Sequence, residues 1–246
     1  MGKEFTFENV ERVAQAYADF LNQDEAPKKK IAHLRVAVGF DFRKDSENFA
    51  KRVAEILAAN HIEAHLAQSA CPTPAISSAI VHDHYSSGIV VTASHNPPDY
   101  NGIKIKNDFG GSAEKSITEN IERRIGKSPL LKEGAPTGFL KTVNFNKPYL
   151  ERLERYLNLD LIKSAPYKIL VDSMYGVGNG HIENLCRGGK VQIESIRKTR
   201  DVTFGGRSPE PIPKNLSEAI HLMKSGGFDL AVVISASRNP FEDKGI

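Results

Sequence analysis

Apolar segments of strand length alternate with amphipathic segments of helix length along almost the whole chain. Residues 34–40, 62–67 and 88–92 are short, β-branched apolar runs, and helical periodicity precedes and follows each of them. The same alternation resumes after residue 148. Strands that alternate with helices pair in parallel through crossover connections. The sequence therefore predicts an α/β fold of two α/β/α three-layer sandwich domains with mixed, largely parallel sheets.

The segment 127–146 interrupts this alternation, because it is rich in Gly, Pro and Lys and has weak periodicity. We predict a domain boundary there, with one domain at 1–140 and a second at 141–246. An internal repeat supports this division. The sequence V-V-T-A-S-H-N-P at 90–97 returns as V-I-S-A-S-R-N-P at 233–240, and both copies follow an apolar strand. A single repeat of this kind indicates duplicated domains and pairs Ser94 with Ser237.

Composition excludes several classes of protein. The 246 residues carry a formal net charge of +3, which is too small to indicate nucleic-acid binding. The chain has no apolar run of membrane-spanning length and no apolar leader, so we expect no membrane association. Its two cysteines, Cys71 and Cys186, lie far apart in sequence, which is typical of a reducing, cytoplasmic location. Cys71 is either a reactive thiol or a small loop residue.

A turn after the strand at 88–92 holds the residues that most strongly indicate chemistry. Ser94 lies just after the end of that strand, His95 and Asn96 come next, and Lys104 lies ten residues beyond the serine. Ligands bind at the carboxyl ends of parallel strands, so Ser94 is a candidate catalytic residue, although many such serines only cap a turn. His95 could orient a phosphate or carry a proton. Lys104 could act as a general acid/base or neutralise a phosphate, or it could be a surface lysine.

Two further segments could contact an anion. The glycine-rich turn at 172–180 could hold a phosphate with its backbone N–H groups, but it lacks the spacing of a dinucleotide site and the lysine of a P-loop. A tight structural turn is therefore the better interpretation. The proline-rich loop at 204–213 could direct Arg207 across a cleft towards a phosphate, and a surface connection is equally consistent with it.

Together these motifs resemble a known family. The sequence T-A-S-H-N-P-P-D-Y-N-G-I-K at 92–104 resembles the phosphoserine loop of the α-D-phosphohexomutases, the phosphoglucomutase and phosphomannomutase type. The resemblance extends to V-G-F-D-F-R at 38–43, P-T-P at 72–74, V-D-S-M-Y-G-V-G at 171–178, and T-F-G-G-R and P-E-P at 203–211.

The resemblance implies intramolecular phosphoryl transfer between hexose phosphates. Ser94 would carry the phosphoryl group and exchange it through a hexose 1,6-bisphosphate, and Lys104 would be an acid/base group. His95 and Asn96 would help to set the site. Mg²⁺ would contact the phosphorylated Ser94 and offset charge during transfer.

The chain also departs from the family pattern. The family has four domains, a Thr-Ser-Gly-x-Arg-Gly motif on its first strand, and an aspartate-rich metal loop in its second domain. This chain begins after the first motif, and its metal-loop position reads S-A-S-R-N-P-F-E-D at 235–243. Glu242 and Asp243 are the only acidic candidates there, so we expect weak Mg²⁺ binding.

These departures lead to two hypotheses about function. In the first, the chain is the N-terminal half of a phosphohexomutase, with little or no turnover by itself. In the second, it is a non-catalytic module that binds a sugar phosphate or a protein partner. Because the first strand is missing, we also expect an exposed sheet edge through which the chain could associate.

Overall fold

The computed structural model describes residues 5–136 and 138–235. The elements within these residues are α1 Phe7–Phe20, α2 Ala26–Lys29, β1 Arg35–Phe40, α3 Ser46–Ala59, β2 Glu63–Ala67, α4 Thr73–His82, β3 Ser87–Val91, β4 Ile103–Lys106, α5 Lys115–Glu122, β5 Leu140–Val143, α6 Asn146–Tyr156, α7 Leu159–Ser164, β6 Lys168–Asp172, α8 His181–Cys186, β7 Gln192–Ile196, α9 Ser217–Ser225 and β8 Leu230–Val233.

The strands form two sheets, which confirms the predicted α/β fold class. The first sheet has the order β4-β3-β1-β2-β5, in which only β4 is antiparallel to its neighbour. The second has the order β7-β6-β8 and is parallel throughout the described residues. In both sheets the earliest strand lies at the centre, β1 in the first and β6 in the second. This shared order agrees with the repeat seen in the sequence.

We call each sheet with the helices packed on it a unit, the first built on the five-stranded sheet and the second on the three-stranded sheet. The predicted boundary at residue 140 falls inside β5, a strand of the first unit. Strand β5 pairs in parallel with β2, and Phe145 is buried in the core of the first sheet. The first unit therefore extends to about residue 145. Weak periodicity hid this strand, because β5 is an edge strand whose residues are mostly exposed.

The core of the first unit lies on both faces of its sheet. Helix α3 packs against β1, β2 and β3 and is joined by α1, whose N-cap Thr6 accepts a hydrogen bond from the backbone N–H of Asn9. Helix α4 packs against β1 and β3, where a Cβ on Gly39 would lie 2.6 Å from the Ile76 side chain. Glycine is needed there because the helix approaches the sheet closely.

Cys71 belongs to this core. Its side chain is fully buried, and burial raises the pKa of the thiol to about 12. A buried thiol with a raised pKa is unreactive, so Cys71 is a packing residue and not a nucleophile.

None of the helices in the described part of the chain combines the length and the apolar composition that a membrane span requires.

Glu63 on β2 is linked through charge to β5 and to the segment that precedes β1. Its carboxylate contacts Lys141 Nζ, accepts from His33 Nε2 at 2.7 Å, and lies 2.8 Å from His65 Nε2. These contacts, the one to Lys141 first, lower the pKa of Glu63 to about 2 from its ordinary 4.5. A carboxyl whose pKa is lower in the folded state stabilises the fold above its unfolded pKa, and this stabilisation is lost as pH falls.

We therefore expect Glu63→Gln to lower the free energy of unfolding by about 1 kcal/mol at pH 7, because the Glu63 side chain is shielded but its partners Lys141 and His33 are half-exposed. The difference from the wild type should shrink between pH 4.5 and 2. Urea denaturation across this range measures it. The control is Glu119→Gln, which removes an exposed ion pair with Lys115 and should change little. A pH-independent difference would contradict the assignment.

Candidate active site

The predicted serine turn lies where β1 and β3 end side by side. Phe40 is paired with Val91 in the parallel ladder, and the backbone N–H of Asp41 donates to the Val91 carbonyl at 3.2 Å. The segments 41–43 and 92–94 therefore leave the sheet together at its carboxyl edge. This is the edge at which α/β sheets bind ligands.

A buried carboxylate ties these two segments together. Asp41 Oδ2 accepts the hydroxyl of Thr92 at 2.6 Å, and Oδ1 accepts the hydroxyl of Ser46 at 2.9 Å and the backbone N–H of Arg43 at 3.0 Å. Burial raises the pKa of Asp41, and the Arg43 charge and these donors offset part of that effect. Ser46 is the first residue of α3, so this hydrogen bond also fixes the start of that helix beside the serine strand.

Arg43 holds the serine turn, residues 94–100, by hydrogen bonds to its backbone carbonyls. Nη2 of its fully buried guanidinium donates to the carbonyls of Ser94 and Asn96 at 2.8 and 2.7 Å, and Nη1 donates to those of Pro97 and Tyr100 at 2.7 and 3.0 Å. Four carbonyls of a seven-residue stretch thus converge on one cation. Arginine is suited to this position because its planar group offers five donors in fixed directions. The turn is therefore rigidly placed although it contains no regular structure.

Ser94 is the residue at the centre of this arrangement. Its φ of 54° lies in the left-handed region, and its backbone N–H donates to the hydroxyl of Thr92 at 2.9 Å. Strained backbone is common at functional sites. Met174 and Tyr175 share this conformation, however, so φ alone does not identify the site. The residue is 6% exposed, so a substrate has only a small part of its surface to approach.

The other predicted residues of the turn lie near Ser94 in the chain but differ in exposure. His95 is half-buried and Asn96 is exposed. Lys104 lies on β4 opposite Val90, with its side chain half-buried. Lys106, two residues further on, is fully buried, and burial lowers its pKa to about 8. Neither Lys104 nor Lys106 is therefore a fully exposed surface lysine.

Arg207 lies on the second unit and is exposed. Its Nη1 donates to the hydroxyl of Ser217 at 3.3 Å, and it lines an open cavity of about 590 Å³ together with Ser208 and Lys214. The loop that carries Arg207 reaches the first unit through Phe204, whose ring centroid lies 5.0 Å from Cζ of Arg43. The structure thus brings this loop against the support of the serine turn.

The glycine-rich turn at 172–180 is anchored by a buried ion pair and by close packing. Asp172 is fully buried and bound in a two-point contact by Arg197, with Nε donating to Oδ1 at 2.8 Å. A Cβ on Gly178 would lie 2.7 Å from the Ile234 side chain, so the glycine permits close packing.

Residues 5–136 and 138–235 contain no group of three or more His, Cys, Asp or Glu side chains placed to hold a metal ion. Asp41 lies near the serine turn, but hydroxyl and N–H donors occupy its oxygens. Glu242, Asp243 and Ser237 lie outside the described residues.

Sequence reasoning missed the supporting residues of the site. Asp41 and Arg43 were noted only as part of a matching motif, and no role was given to Thr92 or Phe204. A signal was available for the first two, because charged residues directly follow a buried strand that a parallel sheet places beside the serine strand. No local signal pointed to Phe204, whose role depends on how the two units pack.

Comparison with known proteins gives a consistent result. A sequence model described as the alpha/beta/alpha domain I of phosphoglucomutase/phosphomannomutase matches residues 1–131, and the corresponding domain II model matches residues 147–236. The chain is 32% identical over 162 residues to a phosphoglucomutase/phosphomannomutase of Thermococcus kodakarensis, covering 65% of this chain and 36% of the relative.

Longer matches and a solved structure extend this similarity. A phosphoglucosamine/phosphogalactosamine mutase of Sulfurisphaera tokodaii is 27% identical over 235 residues, which cover 94% of this chain and 50% of the relative. A crystal structure described as a phosphomannomutase, from Thermus thermophilus, superposes with a TM-score of 0.85 at 30% identity, covering 95% of this chain and 52% of that one. The chain thus spans half or less of the length of both curated relatives.

Proposed function

Because the chain belongs to the phosphoglucomutase/phosphomannomutase family, we propose that it carries a phosphoryl group on Ser94 and exchanges it with hexose phosphates. The observation that carries the proposal is the placement of Ser94. It lies at the carboxyl end of a buried parallel strand, in a turn whose carbonyls are held by the buried cation of Arg43.

The charge distribution supports an anionic ligand at this turn. The buried Arg43 guanidinium donates to the Ser94 carbonyl at 2.8 Å, but it lies 3.4 Å from the Asp41 carboxylate, which offsets much of its charge. Lys104 adds a half-buried ammonium group on the neighbouring strand β4. A phosphorylated Ser94 would add up to two negative charges, which Lys104 would help to balance.

The proposed step exchanges one O–P bond for another. Ser94 Oγ attacks one phosphorus of a hexose 1,6-bisphosphate, the bond from that phosphorus to the sugar oxygen breaks, and the Oγ–P bond forms. The serine hydroxyl loses its proton, and the sugar oxygen gains one. The reverse step returns the phosphoryl group to the free hydroxyl of a hexose monophosphate, which is at position 6 in the 1-phosphate and at position 1 in the 6-phosphate. The chain's own contribution is therefore to hold Oγ in position and to move one proton.

The proton acceptor is not Asp41, although that carboxylate is buried close to the turn. Its two oxygens already accept the hydroxyls of Thr92 and Ser46, and burial next to Arg43 fixes it in a structural role. We assign proton transfer to Lys104, with His95 and Asn96 orienting the phosphate. Mg²⁺ would supply charge neutralisation when bound, and the phosphorylated Ser94 would be among its ligands.

Phosphate uptake tests the proposal directly. The protein is incubated with glucose 1,6-bisphosphate, with and without Mg²⁺, and its intact mass is measured, followed by peptide mapping. We expect a stable gain of one phosphoryl group on Ser94. Phosphorylation at Ser237 would mean that the other copy of the repeat is the carrier. Absence of any gain would overturn the proposal.

One observation favours a second function, a non-catalytic sugar-phosphate-binding module. Ser94 is 6% exposed, which limits the approach of a bisphosphate to its hydroxyl. A module of this kind would bind glucose 1-phosphate in calorimetry and take up no phosphate.

We also expect the 246-residue chain, assayed alone, to convert glucose 1-phosphate to glucose 6-phosphate with little turnover, because it spans only half the length of its relatives.

A further inference from the structure

A strained turn in the second unit contacts the support of the serine turn. Phe204, Gly205 and Gly206 have φ of 51°, 66° and 73°, so three consecutive residues are left-handed. For phenylalanine this conformation is unfavourable, since its Cβ approaches the following carbonyl. Gly205 has a second constraint, because a Cβ there would lie 2.9 Å from the Tyr175 ring.

The carboxylate of Asp201 holds this turn in place. It accepts the backbone N–H groups of Thr203 and Gly205 at 2.8 and 2.9 Å, and the Thr203 hydroxyl at 2.7 Å. These bonds, led by that from the hydroxyl, lower the pKa of Asp201. The turn is therefore built locally, and its strain places one aromatic ring in a fixed position.

The Phe204 ring faces the Arg43 guanidinium, which hydrogen-bonds to the serine turn. Phe204 is 2% exposed, and its ring centroid lies 5.0 Å from Cζ of Arg43. In a second contact the second unit supplies the arginine and the first unit supplies the ring. Cζ of Arg200 lies 5.7 Å from the ring centroid of Phe42. Two arginine–aromatic contacts thus join the units, and one of them involves the guanidinium that donates to the Ser94 carbonyl.

We propose that Phe204 is a positioning residue for the serine turn, acting through Arg43. The ring closes the side of the guanidinium that faces the second unit, and this fixes the direction of the donors that grip the four carbonyls of the turn. The geometry at Ser94 then depends on the seating of the second unit against the first. The consequence for phosphoryl uptake rests on the proposed function, whereas the consequence for the rigidity of the turn does not.

The test compares Phe204→Leu with Phe228→Leu. Phe228 makes a similar contact, 4.4 Å from Lys168 Nζ, but in the second unit and away from the serine turn. Amide hydrogen exchange over residues 94–102 is the first readout, and the rate of phosphate uptake at Ser94 is the second. Loss of a shielded cation–π contact should raise exchange in Phe204→Leu by about 3–30-fold and leave Phe228→Leu at the wild-type level.

A second variant separates electrostatics from shape. Incorporation of 3,5-difluorophenylalanine at position 204 weakens the negative face of the ring while nearly preserving its volume. We expect it to raise exchange in the serine turn by an intermediate factor, with exchange in β1 and β3 unchanged. Wild-type exchange in both variants would overturn the proposal. If the wild-type protein takes up no phosphate but Phe204→Leu still loosens the turn, the proposed function fails and this inference stands.

Discussion

Replacement of Ser94 by alanine is expected to reduce phosphate uptake from glucose 1,6-bisphosphate by at least about 1,000-fold, because the variant has no oxygen to form the new O–P bond. Intact-mass measurement of the protein over time gives the rate. Alanine fits the space of serine and places the same Cβ at the φ of 54°, so the fold should persist.

Two further variants make the Ser94 result interpretable. Ser164→Ala removes a hydroxyl at the end of α7, where it donates to the Leu161 carbonyl, and should leave uptake unchanged. Ser94→Thr retains a hydroxyl but adds a β-branch at a φ of 54°, so we expect uptake to fall while some labelling remains. Uptake by Ser94→Ala at the wild-type rate would exclude Ser94 as the carrier.

Replacement of Arg43 by methionine should strongly destabilise the fold. The change leaves the buried Asp41 carboxylate without its cation and removes the donors from four carbonyls of the serine turn. Breaking a buried pair by removing one partner costs about 3–5 kcal/mol. We expect a loss of this size in the free energy of unfolding, measured by urea denaturation.

The matched control is Arg12→Met, which removes the same group from an exposed ion pair with Glu8 and should cost less than about 1 kcal/mol. A double variant, Arg43→Met with Asp41→Asn, removes the unpaired charge. We expect it to recover part of the loss, since neighbouring charges couple by about 0.5–3 kcal/mol. A loss below about 1 kcal/mol in Arg43→Met alone would show that water can replace the guanidinium.

Most elements of the first unit could be predicted from periodicity. The strands 34–40 and 88–92 were both predicted close to their observed bounds. Their apolar residues are buried, so the pattern that forms the core is also visible in the sequence. Prediction failed at β5, where exposure weakens the pattern.

The sequence by itself determined the fold class, the family and the position of the serine turn, because these follow from local periodicity and from a contiguous motif. Only the tertiary structure decided what holds that turn. Asp41 and Arg43 lie about 50 residues before Ser94, and Phe204 lies 110 residues after it. Their contacts arise from the pairing of β1 with β3 and from the packing of the two units, and no local pattern in a single sequence records which distant side chains share a buried space.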